Sequence, residues 1–416
     1  MSRPPRVLHL TTTAVSLDWL LAPQLHAFAD AGFVVSTISG GGPHVSSLES
    51  QGIDHHTAPS LSRNFDVHAD VRAVRELRSL FQRLQPDIVH THNPKPGVIG
   101  RLLGRTCRIP IVVNTVHGLY AQPSDRARRR FGVYAAERVA AACSDAELVQ
   151  NPEDVDTLVR LGVPAARVHL LGNGIDLPRF TRRSTTMRHQ LRAHFGIDAV
   201  TPVIGMVGRL VWEKGYREFF DAIIELRTRN LAPFEVVVVG PMEPSKDGAV
   251  NQRTIDEMAR RGIRFLGSRT DVPDVLSMFD IFALPSHREG FPRAAMEASA
   301  MGLPVVATDI RGCRQVVVHD ETGFLVTPRD SSELCDALSR LLDQPELRAR
   351  MGLAAERRAS AEFDQERVIA RTLAVYRSLL RRRGLPIPHA MSSRYSDSID
   401  LVAVEASNRA AEFEVA

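Results

Sequence analysis

Residues 281–304 read IFALPSHREGFPRAAMEASAMGLP, and within them the hydrophobic pattern changes period twice. Residues 281–284 are an apolar run short enough to be a buried strand, and 285–291 carry the Pro, Ser and Gly of a loop. Pro292 stands where a first helical residue is favoured. The spacing predicts a helix to Met301, with Gly302 as its stop and a new strand over 304–307. Free backbone N–H groups at that helix start, around Phe291 to Ala294, make an anion site. Glu289 lies just before it and Glu297 in the second turn. Helical rise of ~1.5 Å per residue plus the extended 289–292 segment separates these acids by roughly 10 Å or more. A retaining hydrolase needs its carboxyls only ~5–5.5 Å apart. Two binding roles fit better, one acid on a sugar and the other on a ribose across a pyrophosphate. On spacing alone, two solvated surface acids are an equally good reading.

Strand and helix patterns alternate in the same way through both halves, which argues for parallel sheets covered by helices. In the first half strands are expected at 6–10, 34–39, 88–91, 111–115, 146–150 and 168–170. Helices fill 20–31, 71–85, 97–105 and 127–142. In the second half strands are expected at 203–207, 234–239, 263–266, 281–284 and 304–307. Helices are expected at 216–229, 252–261, 272–279, 293–301, 331–342 and 345–363. The fold class is therefore α/β, two Rossmann-like doubly wound domains in tandem, with ligands expected in a cleft at the strands' carboxyl ends. The expected domains are 1–178 and 179–364, with the connection in the polar, basic stretch 177–200; the resemblance described below implies that the first is the acceptor side and the second the donor side. An amphipathic helix over 365–383 is expected to pack back on the first domain. Residues 384–416 lack periodicity and read as a disordered tail.

With 416 residues the chain is long enough for two domains, and its formal net charge of +4 excludes the global signature of a nucleic-acid binder. Positive charge is almost all arginine; the lysines are Lys95, Lys214 and Lys246. In such a chain a lysine inside a phosphate site stands out. The four cysteines, Cys107, Cys143, Cys313 and Cys335, are scattered, which suggests neither a disulfide framework nor a zinc site and fits a cytoplasmic location. No signal peptide or membrane span is predicted.

Arg209 follows the carboxyl end of a predicted strand, and Lys214 lies five residues on. Arg suits bidentate phosphate contact and Lys gives a compact charge. With Val207-Gly208-Arg209-Leu210, Glu213-Lys214-Gly215, the Glu289 to Glu297 spacing, Gly172-Asn173-Gly174-Ile175-Asp176, Gly302–Ala307 and 321–326, the chain resembles the retaining glycosyltransferases of family 4, which have the GT-B fold. The resemblance spans residues 6–380 and is strongest in the second domain. It implies transfer of a sugar from a nucleoside diphosphate sugar, UDP being the expected nucleotide, to a hydroxyl. Arg209, Lys214 and the amides of Gly290, Phe291 and Pro292's helix would hold the diphosphate, Glu297 the ribose and Glu289 the sugar. His117, just past an apolar strand and before Gly118, would line the sugar site by the same resemblance. Taken alone, such a histidine is more often a structural hydrogen-bonding residue. No metal is expected, since no Asp-x-Asp motif suited to metal binding stands out and two cations can offset the leaving group's charge. No cofactor is expected either, the nucleotide sugar being a co-substrate.

On the acceptor side, His92, Asn93 and Lys95 in HTHNPKPG look like the segment of relatives that build polysaccharide repeats on polyprenyl diphosphate. A loop anchored by Asn and Pro is the plain alternative. Arg128, Arg129 and Arg130, followed by Phe131, suit the inner face of an anionic membrane, or simply a solvated helix start. The loop 11–17 departs from the family's glycine pair, and a glycine run follows the second strand instead, so acceptor details do not carry over. Rival readings are a transferase with a small soluble acceptor, a nucleotide-sugar sensor without catalysis, and a nucleotide-sugar 2-epimerase.

Overall fold

The computed structural model describes residues 3–92, 94–121, 125–229, 231–243 and 248–394. It divides into two compact units, residues 1–172 with 366–416, and residues 173–365. The first contains strands β1 (Arg6–Thr13), β2 (Val34–Gly40), β3 (Asp54–Thr57), β4 (Ile88–His92), β5 (Ile111–Val116), β6 (Ala146–Val149) and β7 (Val168–Leu170). They form one sheet in the order β3-β2-β1-β4-β5-β6-β7, with every pair parallel. The order reverses between β1 and β4, which opens the crevice typical of doubly wound sheets at their carboxyl ends.

Alternation along β1 explains why both faces are covered. Val7 joins Phe28, Ile111, Val113 and Tyr376 in one core, whereas Leu8 and Leu10 join Ile38, Leu77, Phe81 and Val89 in the other. Residues 11–13, expected to begin a loop, continue β1, and helical turns follow directly at Ala14–Ser16 and Leu17–Leu21. Gly40 closes β2 against backbone, since a Cβ there would meet Leu61 O at 2.4 Å.

The second unit has β8 (Val203–Val207), β9 (Glu235–Val239), β10 (Ile263–Phe265), β11 (Ile281–Leu284), β12 (Val305–Thr308) and β13 (Gly323–Val326) in the order β10-β9-β8-β11-β12-β13. Its switch point is β8/β11. Here too alternate residues feed two cores: Ile204, Met206, Ile281 and Ala283 one, Val203, Phe282 and Leu284 the other.

Two sequence expectations need correction. Residues 177–200 are not a polar connector. They contain a helix, Thr185–His194, capped by Ser184, whose Arg192 is buried and donates to Met278 O and Asp280. A buried guanidinium reads as linker polarity in a sequence, yet here it anchors the helix to the unit's own core. Nor is the chain from Gly384 onward wholly free: Leu385, Ile387 and Met391 join the core that holds helix Gln365–Arg382, and Met391 is buried. Residues 395–416 lie outside the described residues.

Candidate active site

The turn after β8 and the loop after β11 flank the second sheet's switch point, and they are stitched together. The His287 N–H donates to Glu213 O at 2.9 Å. Its ring Nε2 lies 2.9 Å from Glu218 Oε1, and Lys214 Nζ donates to Glu289 Oε1 at 2.6 Å. Ser286 Oγ donates to the same carboxylate oxygen at 2.8 Å. At the hinge of this arrangement sits Gly215 (φ 79°), and a Cβ there would lie 1.8 Å from Pro285 O. Only glycine permits both that conformation and that approach. From the other side Gly312 lets helix Arg311–Arg314 reach the Glu289–Gly290 backbone, since its Cβ would come within 2.6 Å of Glu289 O.

Helix Arg293–Ala300 begins where expected, with Pro292 as its cap residue and no side chain capping the start. Proline has no side-chain acceptor to offer the helix's first amides. Asn173 Nδ2 donates to Phe291 O at 3.3 Å and so fixes the approach to that start. Glu297 is mostly covered, and burial pushes its carboxyl above the usual range while Arg293 and Arg179 pull it back. Arg293, unassigned from sequence, has its Nε 3.8 Å from Glu297 Oε1. Arg209, about a third exposed at 36%, pairs with Glu243 at 3.1 Å, a partner that solvent screens and a polyanion would displace. Glu289, Gly290, Phe291, Pro292, Lys214, Arg209, Glu297 and Asn173 thus belong to loops and one helix start about a single sheet crevice.

In the first unit His117 follows β5 and is partly exposed. Its Nε2 lies 3.0 Å from His92 Nδ1. His92 is buried, with its Nε2 3.0 Å from His9 Nδ1. Both of its nitrogens are occupied by other histidines, so no ring atom is left for an acceptor. Lys95 is bound to Asp70 and donates to Asn64 O at 2.6 Å. Its charge is matched inside the unit. Asn93 lies outside the described residues. Arg128 and Phe131 are exposed on helix Ala127–Ala141, and Arg129 stacks over Tyr120 at 5.1 Å. His9, His90 and His92 could be asked to hold a metal, their ligand atoms lying within 4.8 Å of one another. Sequence reading placed only His90 and His92 together; parallel register adds His9.

Residues 187–358 match the family described as glycosyl transferases group 1, and residues 20–174 match the glycosyl transferase 4-like domain. The chain is 32% identical over 288 residues to the Escherichia coli UDP-Gal:alpha-D-GlcNAc-diphosphoundecaprenol alpha-1,3-galactosyltransferase, covering 68% of this chain and 74% of that one. This chain is a family 4 glycosyltransferase. A D-inositol 3-phosphate glycosyltransferase of Xylanimonas cellulosilytica is also 32% identical, over 314 residues, covering 71% of this chain and 73% of that one. Among solved structures, Anabaena HepE in complex with UDP superposes with a TM-score of 0.74 at 21% identity, covering 90% of this chain and all 100% of the other. That likeness establishes the GT-B fold.

As a family 4 glycosyltransferase the protein is an enzyme, and several residues that shape the loops at the second sheet's switch point went unmarked in the sequence. Ser286 and His287 were inside the quoted stretch but belong to no charge pattern. Glu218 sits on helix Tyr216–Leu226 two residues after a buried Tyr216, and its pairing with His287 depends on the β8/β11 adjacency. That adjacency is long-range, and only a topology reading of the strand order would have found it.

Proposed function

We propose that this glycosyltransferase moves a sugar, with retention of anomeric configuration, from a UDP-linked donor to a hydroxyl of a lipid-diphosphate-linked saccharide in cell-envelope or exopolysaccharide synthesis. The observation that carries the reading is the Lys214–Glu289 pair held beside an uncapped helix start. A diphosphate entering there takes over Lys214 and the amides at the start of helix Arg293–Ala300, and Arg209 exchanges Glu243 for a phosphate. Glu289, released from the lysine, then accepts from donor-sugar hydroxyls, and Glu297 accepts from the ribose. His117 is assigned a contact with the transferred sugar.

In the transfer itself the acceptor oxygen attacks the anomeric carbon from the face that UDP leaves. A carbon–oxygen bond to the acceptor forms as the bond to the β-phosphate oxygen breaks, and that oxygen takes the acceptor's proton. Lys214 and Arg209 offset the charge gathering on the leaving UDP, so the reaction is assigned no metal and no cofactor. The E. coli relative is named for a GlcNAc-diphosphoundecaprenol acceptor, and exposed Arg128 beside Phe131 suits an anionic bilayer on its cytoplasmic face. A second reading, a small soluble acceptor, is favoured by the D-inositol 3-phosphate relative.

The test incubates the full chain with a panel of UDP-sugars and with EDTA. Its arms are undecaprenyl-diphosphate-linked GlcNAc, D-inositol 3-phosphate and no acceptor. Product with the lipid acceptor, α-configured from an α-donor and insensitive to EDTA, is expected. Product only with the soluble acceptor selects the second reading. Conversion of a UDP-sugar without acceptor, as in epimerisation, or an inverted product overturns the proposal.

A further inference from the structure

The first unit carries a row of histidines that the transfer reading uses only at its end. His9 lies on β1 and pairs in register with His90 on β4, and His92 pairs with Thr115 on β5. Residues two apart on a strand share a face, so the rings of His9, His90 and His92 stand together, and His117 comes up beside them just past β5. The His9 and His92 ring planes are 19° apart with centroids at 5.3 Å. Hydrogen bonds of 3.0 Å link His9 Nδ1 to His92 Nε2 and His92 Nδ1 to His117 Nε2. His90 forms a side branch, stacked on His92 at 4.3 Å. It is held by Tyr376 Oη at 2.6 Å and Thr115 Oγ1 at 2.7 Å.

We propose that His9 and His92 are positioning residues that lock His117 in the tautomer with its proton on Nδ1, so that it offers an N–H donor to the ligand side. The inference rests on the transfer reading only for what that donor meets, namely a sugar oxygen. A neutral imidazole has one donor and one acceptor, so a row of three linked rings has only two self-consistent settings. In one, each Nδ1 carries the proton, His92 donates to His117, and His9 Nε2 is left as a lone pair. In the other every proton sits on Nε2, which strands a buried N–H at His9 and leaves His117 Nδ1 without a proton.

One observation chooses the first setting. Among the described residues His9 Nε2 is buried without a hydrogen-bond partner, and a buried N–H in that position is the rarer orphan. Burial keeps the row uncharged, with His9 pushed down to about 3 and His117 to about 4, and His90 and His92 well below the ordinary imidazole value. A metal among His9, His90 and His92 is the competing use of these rings. Five of their six nitrogens are already hydrogen-bonded, so an ion would have to break several of those bonds to gain three ligands. The relay uses them as they stand.

The experiment is a long-range proton–nitrogen correlation spectrum of histidine-labelled full-length protein at pH 7, assigned by single substitutions. His117 is expected neutral with its proton on Nδ1. In His92→Phe that signature should give way to a mixture of tautomers. In His92→Gln, whose amide accepts and donates along the same line, part of it should return. Transfer by His92→Phe should show kcat lowered about tenfold, the weight of one misaligned hydrogen bond, with donor KM little changed. A wild-type His117 that is charged or protonated on Nε2 overturns the proposal, even if the variants do not fold. So does an unaltered His117 tautomer in a folded His92→Phe protein, or stoichiometric perturbation of the row by added zinc chloride alone. The spectrum contains no sugar: the predicted tautomer in a protein that transfers nothing would sink the transfer reading and leave the relay standing.

Discussion

The two sheets place chemistry at the same topological point by opposite means. At β8/β11 the groups are charged, lie on loops beyond the strand ends and satisfy one another: Lys214 on Glu289, Arg209 on Glu243. At β1/β4 the groups are neutral rings, with His9 and His92 buried on the strands themselves and linked in a row to His117 just past β5. Charged side chains left at a sheet's edge can exchange partners when a polyanion arrives, at the cost of an ion pair that solvent partly screens. Rings sealed between strands cannot exchange anything; they hold an orientation. The second unit is built to change partners and the first to keep them.

The strongest way to break that contrast is at the exchangeable pair. Glu289→Gln and Lys214→Ala are each expected to lower kcat by about a thousandfold while circular dichroism stays native, because each removes a charge asked to act in the transition state. Retained activity in both would remove the site. Next comes the stitch beneath it. Gly215→Ala puts a Cβ against Pro285 O at a left-handed φ, and should cost about 3 kcal/mol in urea unfolding; a neutral outcome would mean the two loops are not bound as described.

Acidification probes the sealed row. Unfolded, His9 titrates near 6.5, whereas burial holds the folded ring down to about 3. Above 6.5 neither state is protonated. As pH falls through the window from 6.5 to about 3, only the unfolded chain gains the proton, so stability is lost progressively. At pH 5 His9 alone should remove about 2 kcal/mol, and His9→Phe should lessen the drop in melting temperature between pH 7 and 5. Equal drops would mean that the ring is not sealed. The smallest effect is expected at the surface: Arg128→Ala should weaken co-sedimentation with phosphatidylglycerol vesicles by about 1 kcal/mol, with neutral vesicles unaffected.

The same contrast explains what could be read in advance. Long periodic segments such as Tyr216–Leu226 and Ser331–Asp343 announced themselves, and so did the buried runs at β8 and β11. Two of the four edge strands did not. Asp54–Thr57 has two histidines in place of an apolar pattern, and Gly323–Val326 opens on a glycine. Helix Thr185–His194 was hidden because its buried member is an arginine. In the loops after β8 and β11 the charged residues were legible, since a lysine in an arginine-rich chain and two spaced acids leave marks in one dimension. His9 left none. It sits in an unremarkable β1, 83 positions from its partner, and only the parallel register of β1, β4 and β5 turns three scattered histidines into a row.

The helix Gln365–Arg382 closes the first unit although it is made last. Its Tyr376 bonds His90 and, with Leu373 and Leu380, completes the core over Phe28 and Ile111. A chain emerging from the ribosome therefore spends the synthesis of residues 173–365 with its opening half one wall short. A fragment ending at residue 172 would present that raw face permanently, and so invites capture by chaperones or aggregation instead of a free-standing domain. A split or circularly permuted version should instead carry the last helix with the first 172 residues.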